Sequence, residues 1–281
     1  MGLSELFSPK LLKGKVAVIT GGGTGIGLVI ARDLASRGAK VALAARTLPR
    51  LEAAAASIRE AGGEAKAFAC DVADALQVKA LAAAVDAAFG PADILVNNAA
   101  ANFIRPSERL SPLRWRTVLD IVLNGAFHCS LEFGRRMLER KSGRIINIVA
   151  AYAWTGAPGL APSASAKAGV VALTRSLGAE WAGRGVLVNA ISPGPIDVPQ
   201  TRERLWPTEG MRAKVLSSVP AGRFGAEDDV SALVLFLASE LGRNIAGEVI
   251  VSDGGQCLGK GALDMLEELR TVRLPPKRRL H

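Results

Sequence analysis

The chain has 281 residues, 49% of them apolar, and a formal net charge of +9, so it is long and apolar enough to bury a sizeable core. Its longest apolar runs, such as "ALVLFLA" at 232–238, fall far short of the roughly 18 residues that span a bilayer, and no membrane partner is expected. Three separated cysteines (Cys70, Cys129, Cys257) suit reduced thiols, and two histidines (His128, His281) leave almost no material for a zinc site or a histidine base. The first fifteen residues lack the charged start, apolar run and small-residue cleavage site of a signal peptide, so a cytoplasmic location is expected. The positive charge favours anionic partners such as phosphorylated cofactors and substrates. No nucleic-acid-binding signature is present, and part of the excess sits in the terminal "KRRLH", read as a solvated end.

In chain order, short apolar runs alternate with longer helical stretches. The expected strands are 16–20, 41–45, 65–69, 93–97, 144–149, 186–191 and 247–251. The expected helices include 28–37, 50–60, 74–88, 112–140 and 166–182. No linker, composition shift or repeat divides the chain. The pattern implies one α/β domain over 1–281, a Rossmann-type doubly wound parallel sheet of about seven strands with helices on both faces. Its ligand site should lie outside the carboxyl ends of the strands.

Directly after the first strand stands "TGGGTGIG", Thr20 to Gly27, opening the first helix. Glycines let the backbone turn tightly and approach a pyrophosphate, while the helix N-terminus offers free N–H groups and a positive dipole end. The alternative is a plain strand-to-helix turn. With a strand before and a second strand at the expected distance, dinucleotide binding is expected, through Gly21, Gly23, Thr24, Gly25 and Ile26. An NAD-binding fold places an acid after the second strand, where this chain reads Ala45, Arg46, Thr47. An Arg there can grip a 2′-phosphate, so NADPH is the expected cofactor, unless Arg46 only caps a surface loop. Asp71 could accept from the adenine amino group or cap a helix.

These residues resemble the short-chain dehydrogenase/reductase family over about 14–255. "NNAA" at 97–100 looks like the family's NNAG segment, "SPGPI" at 192–196 like the stretch that contacts the nicotinamide carboxamide, and "DGG" at 253–255 closes the pattern. The resemblance adds Val72, Asn98, Ala99, Lys167, Pro193, Gly194 and Ile196 to the expected cofactor contacts. In that family a Ser, a Tyr and a Lys beside the nicotinamide reduce carbonyls, the Lys lowering the Tyr pKa. Here the Ser position is Ala150 and the Tyr position is Ser163; only Lys167 and Asn124 remain in place.

A second layer resembles the 2,4-dienoyl-CoA reductases of that family: "NFIRPSERLSPLRW" at 102–115, "DIVLNG" at 120–125 and "PSASAKAGV" at 162–170. In those reductases the tyrosine lies upstream, on the loop after the fifth strand. Tyr152, the only tyrosine in the chain, sits at the matching place. The resemblance implies that Tyr152 and Asn102 bond the thioester oxygen of an acyl-CoA while NADPH supplies hydride at Cδ and a proton reaches Cα, giving a 3-enoyl-CoA in fatty-acid breakdown. It further implies that Lys167 holds the nicotinamide ribose, that Ser163 assists by hydrogen bonding, that Asn124 organises the adjacent helix, and that the protein is a homo-tetramer. Segments 153–162 and 198–216 look like the acyl-chain and lid region (lid about 195–225), followed by a C-terminal extension at 256–281. Departures are "NNAAAN", with Ala101 for Gly, and a helix after Asn124 that is one residue shorter.

The plain alternatives are a packed loop aromatic for Tyr152, a turn residue for Asn102 and a helix N-cap for Ser163. A keto or alcohol reductase using Tyr152 on another substrate, and a non-catalytic NADP-binding protein, are the competing functions.

Overall fold

A computed structural model describes residues 7–198, 202 and 205–259. Seven parallel strands form one sheet: β1 (Val16–Thr20), β2 (Lys40–Ala45), β3 (Glu64–Ala69), β4 (Ile94–Asn97), β5 (Gly143–Ile148), β6 (Val186–Pro193) and β7 (Val249–Ser252). Their order is β3-β2-β1-β4-β5-β6-β7, which reverses direction between β1 and β4. The helices are α1 (Gly25–Ser36), α2 (Leu48–Glu60), α3 (Ala75–Phe89), α4 (Pro112–Leu119), α5 (Gly125–Glu139), α6 (Tyr152–Thr155), α7 (Ala161–Trp181), α8 (Glu209–Ser217) and α9 (Glu227–Ala238).

The central strands are apolar on both faces because both are covered. In β1, Ala17 and Ile19 join the core that α1, α2 and α9 close, through residues such as Leu34, Leu51 and Val234. Val16 and Val18 face the other way, onto α3, α5 and α7, where Leu81, Phe133 and Trp181 pack. Each fully buried side chain of this kind contributes roughly 1.5–3 kcal/mol. Two thiols lie within the second layer, Cys70 and Cys129, both free and buried. Burial pushes both up, Cys70 to about 11, which keeps them protonated and inert.

Every expected strand is present to within two residues at each end. The expected helix over 112–140 is interrupted, because Asp120–Asn124 form a π-turn between α4 and α5. Val118, Val122 and Ala126 recur every four residues and all are buried, against α7. Four residues of α-helix overshoot a full turn by about 40°, so a straight helix would rotate this stripe off the core. One wider turn keeps it aligned. Helix α7 begins earlier than the expected 166, with Leu160 as N-cap and Pro162 in the first turn. Ser163 is therefore inside the helix and buried, which removes its reading as an N-cap. Among the described residues, no helix is long and apolar enough to cross a membrane, and no cluster of His, Cys, Asp or Glu could hold a metal ion.

Candidate active site

The carboxyl ends of β1, β4, β5 and β6 converge on one cleft at the reversal of strand order, as a doubly wound sheet requires. Thr20, the last residue of β1, ties its rim together. Its Oγ1 accepts from the backbone N–H groups of Asn98 and Ala99, both at 3.0 Å, and donates to the Val96 carbonyl. Asn98 Nδ2 donates back to the carbonyls of Thr20 (3.0 Å) and Gly21 (3.3 Å), bracing the glycine loop from behind. Gly27 must be glycine: a Cβ there would lie 2.4 Å from the Gly21 carbonyl oxygen. Gly25 needs its freedom for another reason, holding φ +52 at the first turn of α1 with open space on its Cβ side.

That opening borders the first turn of α1. Thr24 caps α1 with no side-chain hydrogen bond, so the first-turn amides and the positive end of the helix face outward. Arg46 is exposed just beyond β2. Arg50, one turn further on, lays its stem against Gly23, with Cγ 3.6 Å from the position of a Cβ there. Neither arginine takes an ion pair among the described residues. Arg50 was missed from sequence; its four-residue spacing from Arg46 across the start of α2 is the signal that could have found it. Asp71 does not cap a helix. Its Oδ1 accepts from the Ala73 N–H while Asp74 caps α3, which leaves the second Asp71 oxygen free of that turn. Val72 is buried, its carbonyl bonded to His128 Nδ1.

At the catalytic end the structure brings four of the five expected residues together. Tyr152, at the start of α6, reaches back to α7, where its hydroxyl lies 3.1 Å from Ser163 Oγ. Asn102 Nδ2 donates to the same hydroxyl at 3.5 Å, a long contact. Lys167, one turn after Ser163 on α7, is buried and donates to the carbonyl of Ile148 at the end of β5. Burial alone pushes this ammonium down to about 8. Burial also raises the Tyr152 phenol, opposed in part by the Ser163 hydrogen bond. Tyr152 is thus a neutral hydrogen-bond donor at neutral pH.

The fifth residue stands apart. The Asn124 side chain is exposed and donates to Asp120, one turn earlier, at 2.8 Å. It closes the π-turn without reaching the cleft. Pro193, Gly194 and Ile196 do line the cleft, and Gly194 approaches β7 so closely that a Cβ would meet the Asp253 Cα at 2.6 Å.

The cleft holds about 640 Å³. Besides Tyr152 it is walled by Ala157, Leu160, Ile196, Trp206 and Val215, an apolar lining that also includes the polar Ser218 and Gln256 and the thiol of Cys257. The expected lid forms part of this wall. Trp206 stacks on Phe224 at 5.4 Å, and Asp197 holds Arg202 (2.7 Å) and Arg212 (2.6 Å). Asp197 is held below the usual carboxylate range, first by its hydrogen bond from Arg202. The pair Ser218 and Gln256, joined at 2.9 Å, left no local sequence signal because 38 residues separate them. Residues 199–201 and 203–204 of the expected lid, and 260–281 of the expected C-terminal extension, lie outside the described residues.

The chain is similar to known proteins over most of its length. A family model described as enoyl-(acyl carrier protein) reductase matches residues 21–256. The chain is 44% identical over 258 residues to "Probable 2,4-dienoyl-CoA reductase 3 [(3E)-enoyl-CoA-producing]" of Caenorhabditis elegans, covering 90% of this chain and 84% of that one. It is 40% identical to the D-threitol dehydrogenase of Mycolicibacterium smegmatis, covering 87% and 93%. Among solved structures, a candidate NAD(P)-dependent gluconate 5-dehydrogenase of Beutenbergia cavernae with bound NADP superimposes with a TM-score of 0.84 at 38% identity, covering 89% of this chain and all of that one. Matches of this extent make the chain a member of the short-chain dehydrogenase/reductase family and an oxidoreductase, with the 2,4-dienoyl-CoA reductases among its relatives.

Proposed function

We propose that this protein is an NADPH-dependent reductase of 2,4-dienoyl-CoA thioesters, forming 3-enoyl-CoA. One observation carries the reading: the only tyrosine of the chain brings its hydroxyl to 3.1 Å from Ser163, the position the family's tyrosine vacates, with Asn102 as a second donor beside it. Reducing a ketone leaves an alkoxide and calls for a strong proton donor. Conjugate reduction of a dienoyl thioester leaves an extended enolate, which needs hydrogen-bond donors at the thioester oxygen. A tyrosine whose pKa burial raises is a neutral hydrogen-bond donor, which suits the second task better than the first.

When bound, NADPH would supply the hydride. The residues that would hold it are the amides of the loop Gly21–Ile26, Arg46 and Arg50 at the 2′-phosphate, Asp71 at the adenine, and Lys167 at the nicotinamide ribose. Tyr152 and Asn102 hold the thioester oxygen and stabilise the charge that develops there, about 2–4 kcal/mol each. Ser163 orients the Tyr152 hydroxyl, and water returns the proton to Cα. The apolar lining at Leu160 and Trp206 takes the acyl chain. Asn124 is a helix-organising residue, acting through the π-turn. By kinship the enzyme is a homo-tetramer, which size-exclusion chromatography with light scattering tests.

The polyol-dehydrogenase relative gives the competing reading, alcohol or ketone turnover at the same cleft. Parallel assays of NADPH oxidation with 2,4-decadienoyl-CoA and with simple ketones, and of NADP reduction with polyols, decide between them. Turnover of the dienoyl thioester alone supports the proposal; turnover confined to ketones or polyols refutes it.

A further inference from the structure

Lys167 also lines a second, smaller cavity, together with Asn97, Thr20, Val122 and Val170. It offers about 10 Å³ to the centre of a water molecule, the room one water needs. Thr20 Oγ1 is fully used by Val96, Asn98 and Ala99. Two polar groups on this wall have capacity left. The Lys167 ammonium has three donors, one of which goes to the Ile148 carbonyl. Asn97 is buried, and its Oδ1 has no hydrogen-bond partner.

The direction of the Asn97 amide follows from a chain of buried hydrogen bonds. Thr174 Oγ1 donates to the Val170 carbonyl at 2.7 Å, which fixes its proton. Thr174 must then accept from Asn147 Nδ2, at 2.9 Å. Asn147 therefore presents Oδ1 to Asn97 Nδ2, at 2.8 Å, and Ser130 takes the other Asn97 proton at 3.0 Å. The end of the chain is a bare acceptor on the wall that Lys167 shares. A water there would accept from Lys167 and donate to Asn97 Oδ1, satisfying both.

We infer that Thr174, Asn147 and Asn97 form a polarised strut that holds one buried water against the Lys167 ammonium, making Asn97 a positioning residue for Lys167. The strut opposes the desolvation of the lysine and keeps it charged. Around the ammonium, Tyr152 and Cys257 share the cleft, Asp120 on the π-turn is held by Asn124, and His128 on α5 is bonded to Val72. The inference rests on the proposed site only for its consequence, that Lys167 stays charged where the cofactor ribose is to be held.

Two measurements test it. A high-resolution crystal structure of the wild-type protein is expected to show one water within hydrogen-bond distance of Asn97 Oδ1 and Lys167 Nζ; a dry cavity overturns the inference. Lys167 is then titrated through its 13Cε resonance in 13C-lysine-labelled protein, assigned with Lys167→Arg. Asn97→Leu should lower the midpoint by about one pH unit. Thr174→Val should lower it in the same direction, and Thr174→Ser, which keeps the hydroxyl, should restore it. An unchanged midpoint in folded Asn97→Leu overturns the strut. If that variant does not fold, equal midpoints for Thr174→Val and Thr174→Ser overturn it. Neither readout uses an enoyl thioester, so the strut and the proposed substrate stand or fall separately.

Discussion

Replacing Tyr152 by Phe removes one oxygen and keeps the ring that packs between α6 and α7. The lost group, bonded to Ser163 at 3.1 Å and reached by Asn102 at 3.5 Å, is the donor proposed for the thioester oxygen. A single preorganised donor of this kind contributes about 2–4 kcal/mol to the barrier, which at 1.36 kcal/mol per decade is a loss of about 30- to 900-fold in kcat. Ser163→Ala removes a neutral hydrogen bond that acts through Tyr152. Its cost is about 1 kcal/mol, or roughly fivefold. The assay is NADPH oxidation with trans-2,trans-4-decadienoyl-CoA, with kcat and KM measured separately, and NADPH affinity measured as a control that neither change should move. The ranking of the two variants is the discriminating quantity. Retention of activity within threefold in Tyr152→Phe, or an equal loss in Ser163→Ala, would refute the assignment of the oxygen-binding donor to the upstream loop.

The cofactor end gives a second expectation: Arg46→Ala and Arg50→Ala should each weaken NADPH about tenfold or more and leave NADH unchanged, as isothermal titration would read. Gly27→Ala should abolish cofactor binding and lower stability, since its Cβ would collide with the Gly21 carbonyl; a circular dichroism melt and NADPH titration check both. Lys167 has a folded pKa of about 8 against 10.5 for the free side chain, a burial penalty of about 3 kcal/mol. That penalty is full below pH 8 and fades as pH rises toward 10.5, because over this window the unfolded chain binds the extra proton. Lys167→Met should therefore unfold at higher denaturant than wild type at pH 7, with the gain shrinking by pH 10. Asp197→Asn should loosen the lid by weakening its bonds to Arg202 and Arg212, raising KM a few-fold at nearly constant kcat in steady-state assays.

The sheet was legible because buried parallel strands are short β-branched runs bounded by helices, and "VAVIT" or "VLVNAI" admits few other readings. The glycine loop was legible for a similar reason, its backbone geometry excluding side chains at Gly25 and Gly27. The π-turn was not, since a single i→i+5 turn changes no residue type and shows only as a four-residue spacing of Val118, Val122 and Ala126. Asn124 was placed beside the site by its position in a motif, yet the wider turn that ends on it leaves its side chain on the surface with Asp120. Ser218 and Gln256 went unseen because what assembles them is tertiary.

The distance between the Tyr152 and Ser163 oxygens has a bearing on how such proteins are sorted. Two hydroxyls eleven residues apart occupy points separated by a single hydrogen bond. A functional atom has in effect two addresses in the chain, one on a long rigid helix and one on a four-residue turn closed by Gly156. Moving it from the first address to the second keeps a phenol beside the same turn of helix while erasing the signature by which the chain would be counted as active. A census of living and dead members of such a lineage is therefore better taken in space than by column, asking whether any hydroxyl reaches that point and not which residue number carries it.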